Sequence, residues 1–273
     1  HVEGASPIGS ITTGVHPATW QDQRVRAAFE SGLQDEILTA HEACRAELRE
    51  LIQAKNHVAL RPEALTIGFA RRAAAYKRAD LIFREPERVG RLFQEGKLQI
   101  VLSGKAHPQD TDGKGIVANL VEMSKRFPGS VVFLENYDIE IGQKITRGCD
   151  VWLNNPVRPL EASGTSGMKA AMNGVLNLSV LDGWWPEGCK HGINGWQIGD
   201  AYEGESRDDH DMASLYHVLE HEVLPAHADR GRWAAMMRAS IEMSAQFSAL
   251  RMVEEYFATM YSPGEAQQQA ASG

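Results

Sequence analysis

The sequence predicts an α/β protein whose core is a doubly wound, parallel, Rossmann-like sheet with flanking helices. Two observations support this fold class. Short apolar runs rich in β-branched and aromatic residues, each too short for a helix, alternate along the chain with longer amphipathic stretches. In addition, 43% of the 273 residues are hydrophobic, which is enough to build the core of one large domain.

The elements follow in order along the chain. Five apolar runs are predicted as buried strands, at 64–70, 98–102, 130–134, 150–153 and 175–181. Helical spacing predicts helices at 34–53, 85–95, 113–126, 140–147, 167–173, 209–223, 230–247 and 249–260. Repeated strand–helix–strand units of this kind give a doubly wound sheet, whose ligand crevice lies beyond the carboxyl ends of its strands.

The predicted domain organisation has three parts. Residues 1–20 read as a hinge or linker, and residues 21–261 carry the Rossmann-like domain. Residues 262–273 are Pro, Gly, Gln, Ala and Ser without apolar periodicity, which is typical of a flexible tail.

Charge and cysteine content exclude several classes of protein. Lys and Arg number 28 against 36 Asp and Glu, a net charge of −8, so a generally basic protein that coats nucleic acid is excluded. No apolar run approaches the roughly 18–20 residues that a membrane-spanning helix needs. The three cysteines are odd in number and scattered, with no leader segment before them, so we expect a reducing, cytoplasmic setting.

A cluster of cations follows the first predicted strand. Arg71, Arg72, Lys77 and Arg78 fall within eight positions of an acidic protein, with Tyr76 among them. Like charges this close are stable when an anion neutralises them, so the cluster predicts an anion site at the carboxyl edge of the sheet. The alternative is a solvated first helical turn with arginines on its surface.

The most informative stretch follows the fourth predicted strand. Residues 163–167, SGTSG, combine small residues and hydroxyls before a helix predicted to begin near Met168, which suits a phosphate. The spacing of neither a P-loop nor a dinucleotide fingerprint is present. Lys169 is expected at the opening of that helix, where the dipole lowers the pKa of the amine and leaves it free to react with an aldehyde. Glu161 precedes the loop.

For several other polar and aromatic residues, the sequence either allows two roles or predicts no functional role. Trp184 and Trp185 suit either sugar stacking or core packing. His107 follows a strand end and is expected mainly to stabilise a turn. His217 and His221 have metal-ligand spacing, but no third ligand accompanies them, so no metal site is predicted.

Several ordered motifs resemble one enzyme family. The stretch EASGTSGMKAAMNG at 161–174 resembles the pyridoxal-phosphate segment of the α-glucan phosphorylases of glycogen, starch and maltodextrin, and its flanks resemble their short bacterial type. The resemblance extends from ITTGVHPATW at 11–20 through GFARRAAAYKRADLIFR, SGKAHP and FLENY to FSALRMVEEYFATMY at 247–261. It covers the carboxyl-terminal, pyridoxal-phosphate-binding half of such an enzyme, which has the two-domain GT-B architecture.

The resemblance implies a set of residues that hold pyridoxal 5'-phosphate. Lys169 would bind it as a Schiff base, and Tyr137 would pack beside its ring. Its phosphate would lie on Thr165 with the neighbouring Gly164 and Ser166, and Arg71 would serve the same phosphate.

The resemblance also implies a set of substrate residues. Arg72 and Lys77 would bind inorganic phosphate and act with Lys169 in catalysis. Tyr76, Glu161, Ser163 and Gly164 would hydrogen-bond sugar hydroxyls.

The activity implied is reversible phosphorolysis of a terminal α-1,4-linked glucose. The partners would be inorganic phosphate, α-glucan and glucose 1-phosphate, together with an amino-terminal domain or a second copy of the chain. Two alternatives remain: a nucleotide-sugar-dependent GT-B glycosyltransferase that leaves Lys169 unmodified, and a non-catalytic cofactor-binding fragment that needs a partner domain.

Overall fold

The computed structural model describes residues 9–200, 202 and 204–261. Its strands in chain order are β1 (Leu65–Ala70), β2 (Leu98–Ser103), β3 (Val131–Leu134), β4 (Val151–Asn154), β5 (Leu176–Val180) and β6 (Gly195–Ile198). Its α-helices are α1 (Pro17–Trp20), α2 (Gln23–Ser31), α3 (Gln34–Asn56), α4 (Pro86–Gln94), α5 (Thr111–Arg126), α6 (Ile139–Gly148), α7 (Thr165–Ala171), α8 (Trp185–Gly188), α9 (Arg207–Val218), α10 (Leu224–Ala228), α11 (Arg230–Ser244) and α12 (Ala249–Tyr256). Single turns of 3-10 helix occur at Ala75–Lys77, Leu81–Phe83 and Ala245–Phe247, and π-helical turns at Leu219–Val223 and Phe257–Tyr261.

The strands form one parallel sheet in the order β3-β2-β1-β4-β5-β6. The chain moves outward from β1 to β3 and then returns to the other side of β1 as β4. This reversal places the topological switch point between β1 and β4, where open α/β sheets bind ligands. The predicted doubly wound α/β class is confirmed.

Helices cover both faces of the sheet because successive strand residues point to opposite sides. On one face, Ile67 and Phe69 of β1 pack with the buried residues of α4 and α5. On the other, Val101 and Trp152 pack with α6 and with the second half of α3. Gly68 permits this close approach, since a Cβ there would lie 2.7 Å from Cys149 Sγ.

All five predicted strands are present within one or two residues of their predicted ends, and β6 was missed. Its sequence, GWQI, is only four residues long and has no run of consecutive apolar side chains, which leaves too short a pattern to predict a strand. Helix α2 was also missed, and α7 begins at Thr165, earlier than predicted. The long helices predicted after the last strand are present, interrupted by the π-helical turn at Leu219–Val223.

The predicted linker packs on the last helices where it is described. Val15 accepts a hydrogen bond from the Ala249 amide at 2.8 Å, and Gly14 lies so close to Ser248 that a Cβ would sit 2.1 Å from its carbonyl oxygen. The predicted tail at 262–273 lies outside the described residues. In the described part of the chain, no helix is both long and apolar enough to cross a bilayer.

Candidate active site at the carboxyl edge of the sheet

The candidate site begins where β1 and β4 end. Arg71 follows β1, and its guanidinium donates to the side-chain oxygen of Asn154, the last residue of β4, and to the carboxylate of Glu161. The loop after β2 closes in from the side, since a Cβ on Gly104 would lie 2.2 Å from the Arg71 carbonyl oxygen. Three segments therefore hold Arg71 in place at the switch point: the end of β4, the loop that carries Glu161 and the loop after β2.

Glu161 lies between two buried cations. Its carboxylate pairs with Arg71 and accepts a hydrogen bond from Lys77 Nζ at 2.9 Å. The side chains are only 5% (Arg71) and 8% (Lys77 and Glu161) exposed. Burial raises the pKa of Glu161, but Arg71 and Lys77 together outweigh it, so the net pKa is lowered and the carboxylate is ionised at neutral pH. Two cations against one carboxylate leave a local positive charge.

The loop that carries Glu161 is anchored to the turn after β5. Asp182 accepts from the amides of Glu161 and Gly183, both at 2.9 Å, and the Trp184 amide donates to the Ser163 carbonyl at 2.9 Å. In this arrangement Ser163 Oγ is buried and has no hydrogen-bond partner among the described residues. A buried hydroxyl without a partner is costly in a native protein and indicates a place for a ligand or a water.

Helix α7 starts on a glycine in the left-handed conformation. Gly164, its N-cap, has φ of 87°, and a Cβ there would lie 3.3 Å from Trp184. Thr165 and Ser166 form the first turn, and Ser166 Oγ accepts from the Trp152 indole at 3.2 Å.

The predicted position of Lys169 within its helix was wrong. Because α7 begins at Thr165, Lys169 lies in the last turn, where the helix dipole favours a cation. The pKa of Lys169 is nonetheless lowered, and the cause is burial of the ammonium group. The expected direction of the shift is confirmed, whereas the physical reason given for it is not.

Trp20 is the neighbour of Lys169 that sequence reasoning missed. Lys169 Nζ lies 3.6 Å from the centre of the Trp20 ring, in a cation–π contact. The backbone carbonyl of Trp20 accepts from Arg147 Nε and from Asn173 Nδ2, both at 3.0 Å. These two contacts, from α6 and from the turn after α7, hold the tryptophan against the lysine.

Tyr137 lies in the same neighbourhood. It follows β3 and packs against Gly142 of α6, where a Cβ would lie 2.7 Å from the Tyr137 hydroxyl and 3.6 Å from the Trp20 ring. Burial raises the pKa of the Tyr137 hydroxyl, with a smaller contribution from Asp138. The glycine thus lets two aromatic rings converge beside α7.

The structure separates the cations that the sequence groups together. Arg72 is exposed, and Tyr76 is half-buried, with Lys77 Nζ 4.6 Å from its ring centre. Arg78 points away from the site, donating to Asp208 at 2.9 Å and to Asp211 at 2.6 Å. Arg78 therefore ties the loop to α9, while Arg71, Arg72 and Lys77 remain at the strand ends.

Three features left open by the sequence have structural positions. Trp184 and Trp185 are 1% and 0% exposed and belong to the core, so sugar stacking is not their role. His107 Nδ1 accepts from the Gln109 amide at 3.2 Å and stabilises its turn, as expected. Across the described ranges, no group of three or more His, Cys, Asp or Glu side chains has the arrangement of a metal site.

Comparison with known proteins places this geometry in context. A family profile described as carbohydrate phosphorylase matches residues 22–186. The chain is 42% identical to maltodextrin phosphorylase of Thermococcus litoralis, over 94% of the chain and 36% of that protein. It is 36% identical to glycogen phosphorylase of Aquifex aeolicus, over 95% of the chain and 44% of that protein. Glycogen phosphorylase of Mycobacterium tuberculosis is also 36% identical, over 94% and 35%. The chain thus spans less than half the length of these relatives.

Proposed function

The chain belongs to the carbohydrate phosphorylase family, and from that membership we propose that it is the cofactor-carrying part of an α-1,4-glucan phosphorylase. The reaction proposed is reversible transfer of a terminal α-1,4-linked glucose to inorganic phosphate, giving α-glucose 1-phosphate. The observation that carries the proposal is that Lys169, whose pKa is lowered by burial, lies on the helix α7 that follows Glu161 in the chain, and that Glu161 pairs with Arg71 and Lys77 at the sheet's switch point.

The residues present fit pyridoxal phosphate. Lys169 has no carboxylate partner in the described part of the chain, and its lowered pKa increases the fraction of reactive, neutral amine. Lys169 also lies on the helix that begins at Thr165, so its amine and the small, hydroxyl-bearing first turn belong to one short element. The amine suits an aldehyde, and the backbone amides and hydroxyls of the first turn suit the acceptor oxygens of a phosphate.

We propose which residues would hold the cofactor. Lys169 would form the covalent link, and Tyr137 would pack on the ring. The backbone amides and hydroxyls at Gly164, Thr165 and Ser166, together with Arg71, would receive the phosphate. When bound, the cofactor supplies a phosphate group that exchanges a proton with the substrate phosphate.

Arg72 and Lys77 are proposed to bind the substrate phosphate. Two phosphates in contact repel each other strongly, and cations fixed in a partly dehydrated site offset that repulsion. Lys77 Nζ has three donors, and Glu161 takes only one of them at 2.9 Å. Arg72, which is exposed, is free to turn toward an incoming anion.

The sugar is proposed to lie next to the phosphate. Glu161 and Ser163 offer an ionised carboxylate and an unpaired hydroxyl, and the amide of Gly164 and the hydroxyl of Tyr76 complete the set. Hydroxyl groups of glucose both donate and accept, so they suit this mixture of acceptors and donors.

A second domain is the partner that we propose for this chain, with a second copy of the chain as the other candidate. Helix α12 and the π-helical turn after it have no buried residues. Their apolar side chains are exposed: Leu250, Val253, Phe257 and Met260 are 68%, 57%, 63% and 65% exposed. An apolar surface of this kind indicates a docking face.

The cytoplasmic setting also remains a proposal, and it rests on the three free cysteines.

Phosphorolysis measured on the complete polypeptide tests the proposal. Maltodextrin and inorganic phosphate should give glucose 1-phosphate only after pyridoxal phosphate has been added. Sugar transfer from a nucleotide sugar, without cofactor dependence and without glucose 1-phosphate, would contradict it.

A further inference from the structure

Three residues between β5 and α8 contact both parts of the candidate site. They are Asp182, Gly183 and Trp184, and together they are called the β5 turn below. Asp182 is 7% exposed and Trp184 is 1% exposed. The proposed function gives none of the three a contact with sugar, phosphate or cofactor. Any effect of the β5 turn on the reaction therefore passes through the residues that it holds.

Asp182 uses both carboxylate oxygens to accept hydrogen bonds from backbone amides. Oδ2 accepts from the amide of Glu161 at 2.9 Å, and Oδ1 accepts from the amide of Gly183 at 2.9 Å. The first bond joins positions 21 residues apart in the chain, and the second closes the turn itself. A buried amide that loses its acceptor is costly, so these bonds fix the backbone of Glu161 relative to β5.

Gly183 lets the β5 turn approach the loop that carries Glu161. Its φ is 59°, in the left-handed region, and a Cβ there would lie 2.4 Å from the Ser163 carbonyl oxygen. Glycine alone meets both requirements without strain. The Trp184 amide then donates to the same Ser163 carbonyl at 2.9 Å. The loop is thus held near its start by Asp182 and near its end by Trp184.

The start of helix α7 packs on the Trp184 ring and has a different support. A Cβ on Gly164 would lie 3.3 Å from this ring, and a Cβ on Gly167 would lie 3.0 Å from its Nε1. Among the described residues, the Asp182 carboxylate has no hydrogen bond to α7. The β5 turn therefore supports the loop through Asp182 and the cofactor helix through Trp184.

We propose that Asp182 is a positioning residue for sugar recognition. By fixing the backbone of Glu161, and with it the short stretch that ends at Ser163, Asp182 places a carboxylate and a buried hydroxyl where the hydroxyls of a glucose ring can bind. The inference rests on the proposed function, in which those two side chains receive the sugar. Asp182 itself does not touch the sugar, and its loss should weaken sugar binding while the cofactor is retained.

Steady-state kinetics of the complete polypeptide, loaded with pyridoxal phosphate, test the proposal. Asp182→Asn keeps one acceptor oxygen and turns an N–H group toward the other amide, whereas Asp182→Ala removes both acceptors. The KM for glucose 1-phosphate in glucan synthesis should rise about tenfold in Asp182→Asn and further in Asp182→Ala. The KM for inorganic phosphate at saturating maltodextrin should not change, because Arg72 and Lys77 follow β1 and lie outside the loop. Cofactor content should not change either.

A second variant reaches the same loop by a steric route. Gly183→Ala pushes against the Ser163 carbonyl and should raise the same KM while the Asp182 carboxylate stays in place. Gly192→Ala is the matched control, since its φ is 72° but a Cβ there has no neighbour within 4 Å. Asp229→Asn is the control for the first variant, because Asp229 accepts from the Arg232 amide at 3.0 Å at the start of α11. Both controls should keep the KM of the unmodified polypeptide.

Hydrogen–deuterium exchange gives a readout that needs no phosphorylase activity. In the cofactor-free polypeptide, peptides covering residues 161–163 should exchange about tenfold faster in Asp182→Asn, because one amide bond is lost. Peptides from α7 should exchange as in the unmodified polypeptide. If the unmodified polypeptide makes no glucose 1-phosphate, the proposed function fails, and this measurement still decides whether Asp182 holds the loop.

Three outcomes would overturn the assignment. An unchanged KM for glucose 1-phosphate in both Asp182 variants would mean that sugar binding does not depend on this carboxylate. Loss of cofactor in the same variants would mean that Asp182 supports the cofactor helix instead. An equal rise in the KM values for glucose 1-phosphate and phosphate, with faster exchange in α7 as well, would leave Asp182 a structural role only.

Discussion

Two buried carboxylates at opposite ends of β4 are held in different ways. Asp150 accepts from the Thr66 amide at 2.8 Å and contacts His41 and Arg45, all on regular elements. Glu161 lies on a loop, and among the described residues its carboxylate contacts only the side chains of two cations, Arg71 and Lys77. The first arrangement fastens a helix to a sheet. The second places two cations against one carboxylate, so one positive charge is left for an incoming anion, as the proposed phosphate site requires.

The largest expected effect is at Lys169. Lys169→Ala should reduce cofactor retention and phosphorolysis to background, because no other described lysine occupies that position beside Trp20. Cofactor content is measured by absorbance after desalting. Lys105→Ala, which removes an exposed lysine after β2, is the control and should retain the cofactor fully. One bound cofactor per chain in Lys169→Ala would contradict the proposal that Lys169 holds the cofactor, and with it the assignment of the reaction to the carboxyl edge of the sheet.

The next largest effect is a loss of stability when Asp150, at the amino end of β4, is replaced. Asp150→Ala leaves His41 and Arg45 without their shared acceptor, and should lower the free energy of unfolding by about 3–5 kcal/mol. Urea denaturation measures this loss. The same substitution at a purely surface carboxylate, Glu30→Ala, should cost less than about 0.5 kcal/mol. Equal losses would mean that Asp150 does not fasten β4 to α3.

The stabilisation from Asp150 should depend on pH in a defined direction. Its pKa is lowered from 3.8 to about 2 in the folded protein. Its contribution is therefore complete above the unfolded value and is lost as pH falls through the folded value. Chemical denaturation between pH 4 and pH 2 should show a steeper loss of stability in the unmodified chain than in Asp150→Asn. Parallel curves would contradict the assignment.

Arg72 should affect phosphate use without affecting the cofactor. Removing one charge-assisted hydrogen bond, worth about 1.5–3 kcal/mol, corresponds to roughly a 10- to 150-fold rise in the KM for phosphate in Arg72→Ala. Steady-state kinetics with varied phosphate measures it. Arg26→Ala, an exposed arginine on α2, should leave KM unchanged. A loss of cofactor in Arg72→Ala would mean that Arg72 binds the phosphate of the cofactor and not the substrate phosphate, as proposed here.

The smallest expected effect is the loss of stability in Glu161→Gln, which should be less than the loss in Asp150→Ala. Glu161→Gln should lower stability by only about 1–2 kcal/mol, as expected for weakened charged hydrogen bonds. Because Arg71 and Lys77 are then unpaired, added inorganic phosphate should raise the melting temperature of this variant more than that of the unmodified chain. Sulfate serves as the competing anion. An equal rise in melting temperature in both proteins would mean that Arg71 and Lys77 do not bind the added phosphate.

Most of the sheet and the grouping of the site follow from the sequence. Buried parallel strands are continuous apolar runs, and their carboxyl ends meet, so Arg71, Lys77 and Glu161 were expected together. The start of α7 was misplaced because Gly164, in the left-handed conformation, caps the helix earlier than the apolar pattern shows. Strand β6 lacks any apolar run.

Long-range contacts that do not follow from the shared carboxyl edge of the strands could not be predicted. Arg72 and Arg78 are alike in sequence, and only the ion pairs with Asp208 and Asp211 on α9 show that Arg78 is structural. Trp20 reaches Lys169 because Arg147 and Asn173 hold its backbone, and nothing local to Trp20 indicates either partner.

The most direct test of the central claim is to fix the cofactor chemically and locate it. The chain is reconstituted with pyridoxal phosphate, reduced with borohydride, digested and mapped by mass spectrometry. We expect one pyridoxyl group, on Lys169 alone. A label spread over several exposed lysines, or absent from Lys169, would contradict the account.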